Sequence, residues 1–94
     1  MFTMDESTLL AHALRDYLRV QLTDSQVRLM DNALQAGEPV SALGAGLSIA
    51  AHNSVALPPI FAEKILHLES LSADEIADFT TDFTHIRVWL KMVS

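Results

Sequence analysis

Four histidines, His12, His52, His67 and His85, are the side chains best suited to acid–base or metal chemistry near neutral pH. No two of them stand three to five residues apart, the spacing that sets two ligands on one helix face. No His-Glu-x-x-His motif occurs. Glu63 and His67 are four apart and could share a face, but one such pair is no ligand set. The chain has no cysteine, hence no disulfide, no thiolate metal site and no thiol nucleophile. A serine or threonine nucleophile needs a histidine beside it and an acid to orient that histidine. The hydroxyls here read mostly as helix caps, and no G-x-S-x-G elbow is present. The residues therefore point to no enzyme, no cofactor and no metal.

The acids are the more informative set. Asp74, Asp78 and Asp82 are four apart, so they nearly stack on one helix face, with Glu75 alongside. Like charges at that spacing destabilise a helix by a few tenths of a kcal/mol (about 0.2–0.5) per pair. A helix N-terminus welcomes the first of them through its dipole, which accounts for Asp74 and Glu75 and reaches Asp78 at its limit. It does not account for Asp82. The alternative is an acidic stripe turned toward a basic partner, with Trp89 beside it. Asp74, Glu75, Asp78, Asp82 and Trp89 are thus the candidate partner-binding residues.

Total charge agrees with either account. Twelve acids against six bases leave a net −6. Nucleic-acid binding runs on phosphate neutralisation by Lys and Arg, so it is not expected. A basic protein partner fits, because opposite charge raises the encounter rate. The same acidity also keeps a small protein soluble.

The elements that must position these residues read as helices. Thr3 and Glu6 have the spacing of a capping box at the first helix. Leu10, Ala13, Leu14, Tyr17 and Leu18, with Leu9 beside them, follow at helical spacing; Arg15, Asp16 and Arg19 take the outer side. Thr23 and Gln26 form a second box, with Leu22 placed to staple onto Val27, and Val27, Met30, Ala33 and Leu34 line the inward face. Gly37 can end that helix in the left-handed conformation. Pro39 suits the first position of a third helix running to about His52, with Val40, Leu43, Leu47 and Ala50 or Ala51 inward. Gly44 and Gly46 each cost that helix about 1 kcal/mol relative to alanine. Ala42, Gly46 and Ala50 share a face where a neighbouring helix can approach closely. The two glycines are no phosphate loop, since neither the lysine nor the strand of one is present. The third helix carries no Lys or Arg, so the phosphate contacts of a DNA-recognition helix would be missing, which argues against that role.

Asn53 to Pro59 reads as a turn, with Leu57 as an inward plug. Pro59 opens a fourth helix with Ile60 or Phe61, Ile65 and Leu68 recurring. Ser72 and Glu75 form a third capping box, with Leu71 before it to staple onto Ile76. Ile76, Phe79, Phe83, Ile86, Leu90 and Val93 then give a heptad-like seam on the last helix. No run alternates at period two long enough to be a strand. The expectation is an all-α, single-domain bundle of four to five short helices spanning residues 1–94.

No apolar run approaches the ~20 residues of a membrane span. Asp5 and Glu6 stand where a secretory signal would carry bases. A cytoplasmic protein with no membrane partner is expected. Phe2, Met4, Trp89, Met92 and Val93 crowd the two ends, and a small bundle buries them all with difficulty. An apolar patch there would pair two copies as a homodimer.

Three short motifs carry a family resemblance. They are Ala36-Gly37-Glu38, Ala42-Leu43 and Leu57-Pro58-Pro59, within the stretch Leu22 to Leu68. The stretch resembles the Maf-type and related small helical immunity proteins of bacterial polymorphic toxin systems. That resemblance implies a cytoplasmic, acidic, helical protein that neutralises a cognate toxin by binding it. The third helix is apolar here where that family carries acids, so no binding residue is carried over. The functional expectation is a non-catalytic protein-binding inhibitor whose partner is a basic toxin. The alternative is a small phage or bacterial regulator that binds a host protein or works as a helical homodimer.

Overall fold

The computed structural model describes residues 5–86 and folds them into five helices. They are α1 (Glu6–Gln21), α2 (Asp24–Gln35), α3 (Pro39–His52), α4 (Pro59–Ile65) and α5 (Ala73–Thr84). The fold is an all-α bundle, as the helical periodicity predicts.

Each helix start has a chemical reason. Thr23 and Ser72 cap α2 and α5, and the reciprocal bonds from Gln26 and Glu75 complete both capping boxes. The start of α1 differs from the expected Thr3–Glu6 box. Asp5 is the cap, and its carboxylate accepts from the Thr8 amide at 2.8 Å and from the Ser7 hydroxyl at 3.0 Å. Aspartate is among the strongest capping residues, so a position two residues further on wins. Thr3 itself lies outside the described residues. Pro39 and Pro59 open α3 and α4 without needing an amide partner.

Two helix ends use the left-handed cap. At the end of α2, Gly37 has φ 74°, and the Glu38 amide donates back to the Ala33 carbonyl at 2.9 Å. At the end of α3 the same role falls to Ser54, with φ 56°, and the Val55 amide donates to the Ala50 carbonyl at 3.0 Å. A side chain in that conformation costs roughly 1 kcal/mol or more. Ser54→Gly is therefore expected to stabilise the fold by about 0.5 kcal/mol, the rest being offset by glycine's larger unfolded-state freedom. A urea midpoint that moves up with unchanged slope supports this, and one that moves down refutes it.

α3 is the hub. It is apolar or small on nearly every side, and such a helix belongs in the interior. Its own core residues are Ala42, Leu43, Gly46, Leu47 and Ala50, and α1, α2 and α5 pack around it. The expected small-residue face is buried as read. A Cβ placed on Gly46 would lie 2.7 Å from the Met30 thioether and 2.8 Å from Leu14 Cδ2. One on Gly44 would meet Phe79 Cε1 at 3.3 Å. The two glycines thus receive three neighbouring helices: α1 and α2 at Gly46, α5 at Gly44.

α4 packs against α1. The Phe61 ring meets Tyr17 edge-on at 5.8 Å between centroids, and the Tyr17 hydroxyl donates to the Ala56 carbonyl at 3.0 Å. Leu57 is the inward plug expected, 1% exposed. Arg15 holds Asp31 at 2.8 Å and Arg19 holds Asp24 at 2.7 Å, clamping α1 to α2.

Three expectations are corrected in detail. α4 stops at Ile65, so Leu68 is buried beyond the helix end rather than on it. α5 stops at Thr84, and the seam continues only to Ile86, which is buried after the helix. Ile76 on that seam is 38% exposed, because α5 is covered chiefly by α3 and not by a second helix along its whole length. Leu90 and Val93 lie outside the described residues, as do Phe2, Met4, Trp89 and Met92 of the expected terminal patch.

Candidate functional site

The candidate residues converge on α5, which runs past the C-terminal end of α3. Among the described residues, Asp16, Asp24 and Asp31 are the acids in ion pairs with arginine. None of the α5 acids is so paired among those residues. Their side chains nonetheless have different duties.

Glu75 is committed to the cap. Its carboxylate accepts from the Ser72 amide at 2.8 Å while the Ser72 hydroxyl accepts from the Glu75 amide at 3.1 Å. Asp74 stands exposed in the first turn, where the helix dipole favours a negative charge. Helix-start chemistry covers both. Asp78 is exposed one turn on. Asp82 is half-buried in the last turn, where the dipole opposes an anion. Thr80 and Thr81 return their hydroxyls to the carbonyls of Ile76 and Ala77 and offer no cationic partner.

Asp82 also has neighbours from another helix. With Ala51 and His52 of α3, and His85 at the C-cap of its own helix, it lines a shallow, open cleft between the ends of α3 and α5. The His52 ring is fixed by donation from Nδ1 to the Ser48 carbonyl at 2.9 Å. Burial pushes the Asp82 carboxyl above the ordinary aspartate range, and the charge on Asp78 adds to this. His52 and His85 pull the other way without prevailing. At neutral pH the Asp82 carboxylate is therefore partly desolvated and faces the charge of Asp78.

The sign of its effect on stability follows. Folding raises the Asp82 pKa, so the folded state prefers the protonated acid. The stability from this preference is full below the unfolded value of about 3.9 and is lost as pH rises through the folded value. Asp82→Asn is therefore expected to raise the melting temperature at pH 7 by a few degrees (roughly 2–4 °C for about 0.5 kcal/mol). The gain should disappear at pH 3. An equal gain at both pH values, or none at pH 7, would refute the account.

The histidines do not assemble a metal centre. Among the described residues no group of three or more His, Asp or Glu side chains is placed to hold a metal ion. The Glu63–His67 pair is not a carboxylate–imidazole contact: His67 Nδ1 donates to the Glu63 backbone carbonyl. His12 lies apart, in the groove between α1 and α2.

Of the sequence candidates, Asp74, Glu75, Asp78 and Asp82 share α5, and Trp89 lies outside the described residues. Sequence reading missed His52 as a neighbour of Asp82, since no motif links the end of α3 to that of α5; His85, three residues after Asp82, is legible from spacing and is also missed. Among the described residues no helix is long and apolar enough to cross a membrane. No family model, no curated protein and no solved structure matches this chain.

Proposed function

We propose that this chain is a non-catalytic protein-binding inhibitor that acts in the cytoplasm. Its concrete form is an immunity protein that neutralises a basic toxin. The observation that carries the reading is the state of Asp78 and Asp82. Both acids lie on one helix face, neither is in an ion pair among the described residues, and ionised Asp82 weakens the free fold. A partner's Lys or Arg beside them would relieve that repulsion. The motifs at Ala36-Gly37-Glu38 and Leu57-Pro58-Pro59 support the same reading by resemblance.

The test is a double substitution, Asp78→Lys with Asp82→Lys, compared with the native chain as bait in extracts of the source organism. The variant should stay folded: Asp78 is exposed, and a lysine at half-buried Asp82 would sit in the last turn, where the helix dipole favours a cation, beside an open cleft its ammonium can leave by. A basic protein retained by the native chain should associate more slowly with the variant. The difference should be largest at low salt, where the Debye length is ~30 Å rather than ~10 Å. An unchanged association rate at low ionic strength would sink the proposal.

The second reading is a small regulator that binds a host protein or pairs with itself. It is favoured by the large apolar side chains left at the surface, Val20 at 86% exposure and Leu29 at 66% among them. Sedimentation showing a dimer, with no toxin bound, would favour it.

A further inference from the structure

Two helices finish at the cleft lined by Ala51, His52, Asp82 and His85, and each finishes on a histidine. His52 is the last residue of α3, and His85 is the C-cap of α5. A helix C-terminus favours a positive charge, so both ends suit an imidazolium. Half-buried Asp82 stands in the same cleft, with Asp78 one turn back on its helix. α3 brings His52 and no other charged residue, and α2 reaches the neighbouring Asn53 with uncharged Gln26. Among the described residues the ion pairs are those of Arg15 and Arg19, so none closes the cleft. Arg87 lies outside the described residues, and an arginine keeps its charge throughout the range in which imidazoles titrate.

The tautomer of His52 decides when it can meet a carboxylate. Its Nδ1 hydrogen goes to the Ser48 carbonyl at 2.9 Å, so the neutral ring has a bare lone pair at Nε2. That lone pair repels a carboxylate. Protonation places a hydrogen on Nε2 and makes the same atom a donor. We propose that the cleft is a pH-operated clasp: below about pH 6.5 the charged His52 and His85 rings pair with Asp82 and fasten the end of α5 to α3, and above it the clasp is open. α5 is held to the bundle mainly through α3, so a contact between their ends bears directly on how tightly α5 is held. Both rings already draw the Asp82 carboxyl downward against burial, which is the same attraction. The band has a lower edge as well. Asp82 must be ionised to pair, and burial raises its carboxyl above the ordinary aspartate range, so the pairing is lost again in acid. The clasp belongs to the free chain and does not rest on the inhibitor reading.

The test is amide hydrogen exchange of α5 in the full chain at about pH 3, 5.5 and 8, corrected for the intrinsic rate at each pH. The native chain is compared with His52→Gln, His85→Gln. Near pH 5.5 the native α5 amides should be about threefold better protected than those of the variant, the usual scale of exposed ion pairs. At pH 8 the two chains should agree within about 1.5-fold, because neutral rings do not pair. At pH 3 the difference should fall to about 1.7-fold or less, since the favour of the helix ends for a cation survives and the pairing does not. The same fall is expected near pH 5.5 when both chains also carry Asp82→Asn. In 1 M salt, where the Debye length is ~3 Å, the difference should shrink at every pH. Equal protection of the two chains near pH 5.5 overturns the proposal. So does a difference of the same size at all three pH values, which would mark a packing role for the rings. An undiminished histidine effect in the Asp82→Asn background overturns it too, because the carboxylate would then not be what the rings hold.

Discussion

Gly46→Val is expected to cost about 3 kcal/mol, the upper part of the range for overpacking a close-packed core. The first added carbon already falls 2.7 Å from Met30 Sδ and Cε and 2.8 Å from Leu14 Cδ2. Met30 and Leu14 are fully buried, so their ends have no solvent to move into. Valine adds two further carbons and a χ1 that a helix restricts. Gly46→Ala gains about 1 kcal/mol of helix propensity and should come out milder, about 1 kcal/mol destabilising. Gly44→Ala is the control. Its new carbon meets only one edge of the Phe79 ring, at 3.3 Å, so propensity and contact should cancel to within about 0.5 kcal/mol. Urea unfolding of the three variants gives the ranking. A second cycle identifies the cause: Met30→Ala alone should cost about 2–5 kcal/mol through a cavity. In the Gly46→Val background it should cost at least 1 kcal/mol less, since valine fills the vacated space (about 0.5–3 kcal/mol of coupling is usual for residues in contact). Strict additivity would show that Gly46 is not where the three helices meet.

The same position shows what a sequence does and does not reveal. Pro39, the small-residue face and Gly37 place α3 correctly, because caps and propensity act within a few residues. Both capping boxes at Thr23 and Ser72 are legible for that reason. The α1 start is less so, since Thr3 and Asp5 both offer capping chemistry and only geometry chooses between them. A small-residue stripe says that something approaches, not what. That Met30 and Leu14 arrive at Gly46, and Phe79 at Gly44, depends on three helix crossings that no local pattern encodes. The α5 seam fails at Ile76 because a periodic pattern states which side is apolar and not how far the cover extends.

The candidate surface divides in the same way. Four acids on one helix can be read from spacing alone, and so can the dipole's claim on Asp74 and Glu75. The strain on Asp82 cannot. It arises from burial beside the end of α3 and from a place in the last turn, and that turn is fixed by where α5 stops. His52 enters the site through tertiary packing only, whereas His85 comes with α5 as its C-cap, three residues after Asp82.

Phe79→Ala is expected to cost about 3–4 kcal/mol, within the range for truncating a buried aromatic. Phe79 is the one residue within α5 that is buried outright, 5% exposed, and its ring lies on the bare backbone of Gly44. Removing it leaves a void that glycine on the facing helix cannot fill. Phe83→Ala should cost less, about 1–2 kcal/mol, because that ring is half-buried and forfeits less apolar area. The sequence pattern gives the two rings equal standing, so the inequality belongs to the structure. Hydrogen exchange adds a second readout. α5 is held to the bundle mainly through α3, so its amides should lose protection in Phe79→Ala before those of α1 to α3 do. The consequence reaches the proposed binding surface, because Asp78 and Asp82 ride on α5. A partner that uses these acids should associate poorly with Phe79→Ala at any salt concentration, whereas the charge-reversed variant should regain its association rate relative to native as salt rises. Equal costs for the two phenylalanines, or α5 amides that stay as protected as those of α3, would show that α5 is anchored elsewhere.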